Sequence, residues 1–131
     1  MREIKFRAWD KDKKILSPVW QISFRQWELE PDINSITLEN DGTYEPINYI
    51  IEQYTGLKDK NGVEIYEGDI LNRIGINMVV RWNRINIGFD LAVCDDMDNL
   101  DRNWIFFSKA VNTDYEVIGN IHQDSHLLNE N

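Results

Sequence analysis

Cysteine occurs once in the 131 residues, at Cys94, which excludes an internal disulfide framework and fits a reducing compartment. No apolar run approaches the roughly 20 residues that a membrane-crossing helix needs. The opening Met-Arg-Glu-Ile-Lys-Phe-Arg lacks the continuous apolar core of a signal peptide, so a cytoplasmic location with no membrane partner is expected. Positive charge is scarce as well: 14 Lys and Arg face 23 Asp and Glu, for a net −9. Such a surface repels phosphate backbones at long range, which makes nucleic acid a less favoured partner than protein. The constellations that carry catalysis are missing too. There is no serine nucleophile elbow and no paired-histidine metalloprotease motif, and the spaced glycines of the central stretch lack the Lys-Ser or Lys-Thr of a phosphate-binding loop. A non-enzymatic protein with no cofactor and no small-molecule substrate is expected.

Apolar residues make up 42% of the chain and charged residues 28%, the balance of a chain that folds around a core. At this length one domain or two small lobes are expected. Charge is unevenly spread. Residues 1–14 carry six basic and three acidic groups, residues 15–55 carry one and seven, and residues 83–131 carry three and nine. A local basic face around Arg2, Lys5, Arg7, Lys11, Lys13 and Lys14 therefore persists in an acidic chain.

Residues 2–9 alternate, with Ile4 and Phe6 on one side and Lys5 and Arg7 on the other, as a half-buried strand does. A return strand begins at Ile15 and is interrupted or ended at Ser17 and Pro18. Residues 19–29 alternate again, with Trp20, Ile22 and Phe24 in register. Between residues 44 and 54 the spacing of Ile47, Ile50, Ile51 and Tyr54 fits a short helix or an edge strand equally well. The densest turn chemistry lies at residues 54–71. Asn61 and Gly62 suit the two positive-φ positions of a type I′ hairpin turn, and Glu67, Gly68 and Asp69 reverse the chain again. Residues 75–82 and 85–93 read as paired strands, residues 104–107 as a buried strand, and residues 115–121 as the strand that closes the sheet. The last ten residues are polar and expected to be loose. Five short strands over residues 63–121, joined by tight turns, predict a small closed barrel.

Three blocks carry a resemblance: Arg-Glu-Ile-Lys-Phe-Arg-Ala-Trp-Asp at residues 2–10, Tyr-Thr-Gly-Leu-Lys-Asp-Lys-Asn-Gly-Val-Glu-Ile-Tyr-Glu-Gly-Asp-Ile-Leu at residues 54–71, and Tyr-Glu-Val-Ile-Gly-Asn-Ile at residues 115–121. In order and spacing they resemble the YopX family, small proteins encoded by bacteriophages and prophages. The resemblance implies an SH3-like barrel and a cytoplasmic life in a bacterial host cell. It carries no catalytic residue, because the family has no established biochemical activity. The expected fold is mainly β, with an N-terminal β-rich extension or small lobe over residues 1–50, an SH3-like barrel with a polar C-terminal tail over residues 51–131, and at most a short helix.

Candidate sites follow from side-chain chemistry. Asp95, Asp96, Asp98 and Asp101 offer hard oxygen ligands, but counting from Asp96 places Asp101 where a calcium loop needs glycine and Phe107 where it needs glutamate. His122 and His126 lack the further ligands of a zinc site. Cys94 lies beside aspartates that raise a thiol pKa, the opposite of activation. The five tryptophans, Trp9, Trp20, Trp27, Trp82 and Trp104, exceed what one small core can hold, so one or two are expected at the surface. Trp9 and Trp82 are the choices, because each ends its strand beside basic residues: Arg7 and Lys11 for the first, Arg81 and Arg84 for the second. The leading expectation is a macromolecule-binding module that forms a homo-oligomer and engages a phage or host protein. An alternative uses the basic strand of residues 2–14, with Trp9 as a stacking platform for nucleic acid, and a variant has the acidic surface mimic DNA. A further alternative is an enzyme with an unrecognised site.

Overall fold

In a computed structural model, the described residues are 3–25, 33–39, 42–84, 87–92, 104–106 and 114–130. They are mainly β, the paired strands run antiparallel, and no helix among them is long and apolar enough to cross a membrane. The chain divides into two compact units, one of residues 3–53 and one that holds residues 54–131.

The N-terminal unit is built outward from β1 (Phe6–Asp10). The strand β2 (Ile15–Phe24) returns along one side of it, with Ala8 opposite Ser17. On the other side lies the first half of β5 (Tyr49–Lys58), with Ala8 opposite Ile51. Beyond β2 come β3 (Ile33–Leu38) and the short β4 (Gly42–Tyr44). The β1–β2 turn is tied by Asp10, whose Oδ1 accepts the N–H groups of Asp12 at 2.9 Å and Lys13 at 3.0 Å. A side-chain oxygen that satisfies turn amides in this way makes Asp a turn former. The buried core is small: Ala8, Ile36 and Leu38, with Val19, Ile22 and Tyr49 among the half-buried residues packed on it. The segment with two expected forms, helix or edge strand, is a single 3-10 turn at Pro46–Asn48 leading into β5. Pairing with β1 over residues 49–53 decides for strand, since one helical turn cannot compete with a ladder of backbone bonds.

The C-terminal unit begins in the second half of β5, which pairs with β6 (Glu64–Tyr66). The hairpin expected here is present, but only Gly62 takes a positive φ, at 83°. Asp59 decides the turn. Its Oδ1 accepts N–H groups of Asn61 at 2.8 Å and Val63 at 2.9 Å, and its carbonyl accepts that of Gly62 at 3.0 Å. The type I′ pair stands instead at Ile74 and Gly75, with φ of 50° and 77°, between β7 (Asp69–Arg73) and β8 (Ile76–Asn83). Next to β8 lies β9 (Gly88–Ala92), and then β10 (Trp104–Phe106). On the far side of β7 lies β11 (Glu116–Asn120). The order is β10-β9-β8-β7-β11, so the expected closure into a barrel is not formed among the described residues.

Alternation along β7 and β8 buries both faces of this sheet. One face holds Leu71, Met78, Val80 and Leu91 with Ile65 and Tyr115. The other holds Ile70, Val79 and Ala92, and its cover is Leu128. Each buried Val, Leu, Ile or Met among them contributes about 1.5–3 kcal/mol on burial. The C-terminal residues expected to be loose thus have a structural role. Ser125–Glu130 is a 3-10 turn, Leu128 is 5% exposed, and Nδ2 of Asn77 donates to the Leu127 carbonyl at 2.8 Å. Two leucines in a polar stretch suffice because the sheet offers them an apolar face. At Gly119 a Cβ would stand 2.5 Å from Oδ2 of Asp124, the oxygen that accepts the Asn120 N–H at 3.1 Å. Only glycine fits there.

Candidate functional site

The six residues nominated for a partner fall into two groups, and the structure treats them differently. On β1, Trp9 is only 5% exposed, lying between Leu16 of β2 and Ile50 of β5 in the sheet register. This corrects the expected exposure. The local pattern marks Trp9 as the end of a strand, but β5 pairs with β1 as far as Asp10 opposite Tyr49 and places Trp9 inside the sheet. Arg7 is committed as well, with Nε 2.9 Å from Oε1 of Glu52, and both side chains are mostly buried. Lys11 is exposed.

On β8, Arg81 is 3% exposed, and its Nε donates to Oδ1 of Asp90 at 2.7 Å. Nδ2 of Asn83 donates to the other oxygen of Asp90 at 2.8 Å. A buried charge pair with its remaining lone pairs satisfied is a sound arrangement, whereas either partner alone is costly. The group is therefore structural. Trp82 points the other way along the alternation. It is 47% exposed and meets Phe89 edge to face with ring centroids 5.1 Å apart, and Arg84 beside it is exposed. Of the nominated residues, Trp82 with Arg84 and Lys11 on the other unit remain at the surface.

Three buried carboxylates, Asp10, Asp59 and Asp69, are engaged by backbone amides. Asp10 lies below its ordinary pKa chiefly through the Lys13 N–H, with burial opposing and the Asp12 N–H, the Tyr49 hydroxyl and the Lys13 charge assisting. At Asp59 burial acts to raise the pKa, but the N–H groups of Val117, Val63 and Asn61, with the Lys60 charge, outweigh it and hold the group low. The Val117 N–H reaches Asp59 Oδ2 at 2.9 Å, which ties the β5–β6 turn to β11. Asp69 accepts the Tyr66 N–H at 2.8 Å. Hydrogen bonds to the ionised form of this kind stabilise a fold and leave little capacity for proton transfer.

Among the described residues no group of three or more His, Cys, Asp or Glu is placed to hold a metal. His122 is half-buried, with its N–H on Oδ1 of Asn120 at 3.0 Å, and His126 is exposed. Cys94, residues 95–101, Trp27 and the side chain of Trp104 lie outside the described residues.

Sequence reasoning missed Trp20, whose alternation with Ile22 and Phe24 reads as an ordinary half-buried strand. It is 75% exposed, and Phe24 and Ile4 are exposed with it. With Phe6, Val19 and Ile22 they line an apolar groove of about 370 Å³. The pairing of β1 with β2 ends at Phe6 opposite Val19 while β2 continues to Phe24. The mismatch in strand length opens the groove.

A family model described as YopX protein matches residues 5–129. Among solved structures, the crystal structure of protein EF1440 from Enterococcus faecalis is similar at 26% identity, covering 98% of this chain and 99% of that one with a TM-score of 0.63. No curated protein matches the chain.

Proposed function

Because the chain belongs to the YopX family, we propose that it is a non-enzymatic module that binds another macromolecule and associates with itself. On this reading it is a phage or prophage accessory protein in the cytoplasm of a bacterial host, and its partner is a phage or host protein. The succession of tight antiparallel hairpins through β7, β8 and β9 supports an SH3-like barrel as the parent architecture of the C-terminal unit.

The observation that carries the reading is the Trp82 surface. A tryptophan held edge to face on Phe89, with an exposed arginine two residues on, has the composition of an interface anchor, in which aromatic and arginine side chains dominate. The engagement of Asp10, Asp59 and Asp69 with backbone amides supports the non-enzymatic part. Nucleic acid is the weaker partner, since Trp9, the stacking platform it requires, is buried.

The test is affinity capture of the tagged protein from host cells, with and without nuclease. Expected is a protein partner that resists nuclease and whose recovery falls roughly tenfold or more with Trp82→Ala. Recovery of nuclease-sensitive material alone would overturn the proposal.

A further inference from the structure

Asn61 is the one asparagine of the chain that glycine follows, and both residues are exposed at the β5–β6 turn. An asparagine side chain carries an electrophilic carbonyl carbon within ring-closing reach of the next backbone nitrogen. Closure is easiest when that next residue has no side chain to crowd the approach. Asparagine is accordingly among the thermolabile residues.

The turn does not depend on the Asn61 side chain. Its bonds run from backbone N–H groups to Asp59, those of Asn61 and Val63 to the carboxylate and that of Gly62 to the carbonyl. The Asn61 amide reaches outward instead, with Nδ2 in a long 3.5 Å contact to Oε1 of Glu116. Gly62 holds φ at 83°, and a Cβ there would meet no heavy atom within 4 Å, so the residue is open to solvent on that side. Its nitrogen, however, is occupied. The Gly62 N–H must leave the Asp59 carbonyl, 3.0 Å away, before it can lose its proton and attack. The turn is pinned to β11 as well, by the Lys60 N–H on the Tyr115 carbonyl at 3.0 Å and the Val117 N–H on Asp59 Oδ2 at 2.9 Å. Opening is therefore costly, and Asp59 sets how often it happens.

We propose that Asn61 is a self-modification site gated by Asp59. When the turn opens, the Gly62 nitrogen bonds to Asn61 Cγ, the Cγ–Nδ2 bond breaks, and ammonia leaves with the Gly62 proton. Water then adds across either carbonyl–nitrogen bond of the cyclic imide, giving aspartate, or isoaspartate with the main chain routed through Cγ. Either product puts a carboxylate where an amide faced Glu116. Isoaspartate also lengthens the backbone by one carbon between the two N–H groups that Asp59 Oδ1 holds, so the turn cannot close as before. The change runs one way, and the tie from the turn to β11 loosens with the age of the molecule.

The experiment incubates the full chain at mildly alkaline pH, folded and in denaturant, and follows isoaspartate by peptide mass and by methylation with an isoaspartyl methyltransferase. Asn61 is expected to convert before every other asparagine. In the folded chain it is expected to convert roughly tenfold or more slowly than in denaturant, because the turn must open first. Asp59→Asn, a weaker acceptor, is expected to speed conversion of the folded chain roughly tenfold, and Asn61→Gln to abolish it at unchanged Tm. The isoaspartate form is expected to melt roughly 3–6 °C lower than fresh protein. Should Asp59→Asn fail to fold, dilute denaturant opens the turn of the wild type instead, and conversion should rise in step with hydrogen exchange of the Gly62 amide. A folded chain that keeps Asn61 intact while the denatured chain converts, or that converts another asparagine first, would overturn the site. Equal rates in the folded and denatured chain, or a rate indifferent to opening of the turn, would overturn the gate.

Discussion

The two units expose equal numbers of large apolar side chains among the described residues but bury very different numbers. Among the described residues, four buried apolar residues lie in residues 3–53 and eleven in residues 54–131. The C-terminal unit adds the Arg81–Asp90–Asn83 group inside its sheet and carboxylates that bind its turns together. The N-terminal unit has Ala8, Ile36 and Leu38 at its centre and keeps Trp20 and Phe24 outside. One unit backs its exposed apolar residues with a large core of its own, and the other presents as many over a small one. A core so small is expected to make the N-terminal unit the first to open.

The strongest test of this contrast is Asp90→Ala, which leaves the Arg81 guanidinium buried without its main partner. A loss of about 3–5 kcal/mol is expected in denaturant unfolding. A loss under about 1 kcal/mol would mean that the C-terminal unit is not locked by this group. Next in size is Ile36→Ala, expected to cost about 2–3 kcal/mol, near the low end because a small core relaxes around the gap. Hydrogen exchange should then quicken across β1 to β3 while amides of β7 and β8 keep their protection. Equal loss of protection in both units would erase the distinction.

The smallest expected effect is Asp59→Asn, at about 1–2 kcal/mol near neutral pH, since a neutral amide accepts N–H bonds more weakly than a carboxylate. It also carries a pH signature. The folded pKa of Asp59 lies below its unfolded value, so between the two the unfolded chain binds more protons and stability rises with pH. That stability is complete above the ordinary carboxyl range, about pH 4, and is lost as pH falls through the lowered value. Asp10 acts in the same direction in the N-terminal unit. Asp59→Asn should therefore flatten the acid limb of the C-terminal unit alone, which unit-resolved exchange at several pH values would read.

Elements whose signal is local were legible in the sequence. Alternation and turn residues marked β1, β8 and β11, and four continuous apolar residues marked β10. Features set by distant partners were not. Trp9 looks like a strand end until β5 pairs beside it, and Arg81 looks like a surface cation until Asp90 is found opposite it on β9. The Asn61–Gly62 pair predicted the hairpin correctly and its turn geometry incorrectly, because the Asp59 side chain, two positions earlier, captures the amides and favours a different turn. The cue of a basic residue near a strand-ending tryptophan gave the exposure of Trp82 and Arg84 and failed at Trp9, where a partner strand distant in sequence covers the ring. The Trp20 groove was not, because it arises from a difference in length between two paired strands and belongs to neither one.

The cover that Leu128 places over Ile70, Val79 and Ala92 bears on biosynthesis. During translation the strands of the C-terminal sheet leave the ribosome before the residues that shield one of their faces. Until those residues emerge, that face remains wetted and open to contact with other nascent chains, a state prone to aggregation. A ribosome that stalls shortly before Leu128 would release a sheet fully patterned but half-covered, and a chaperone that holds the chain briefly would serve it best at that point.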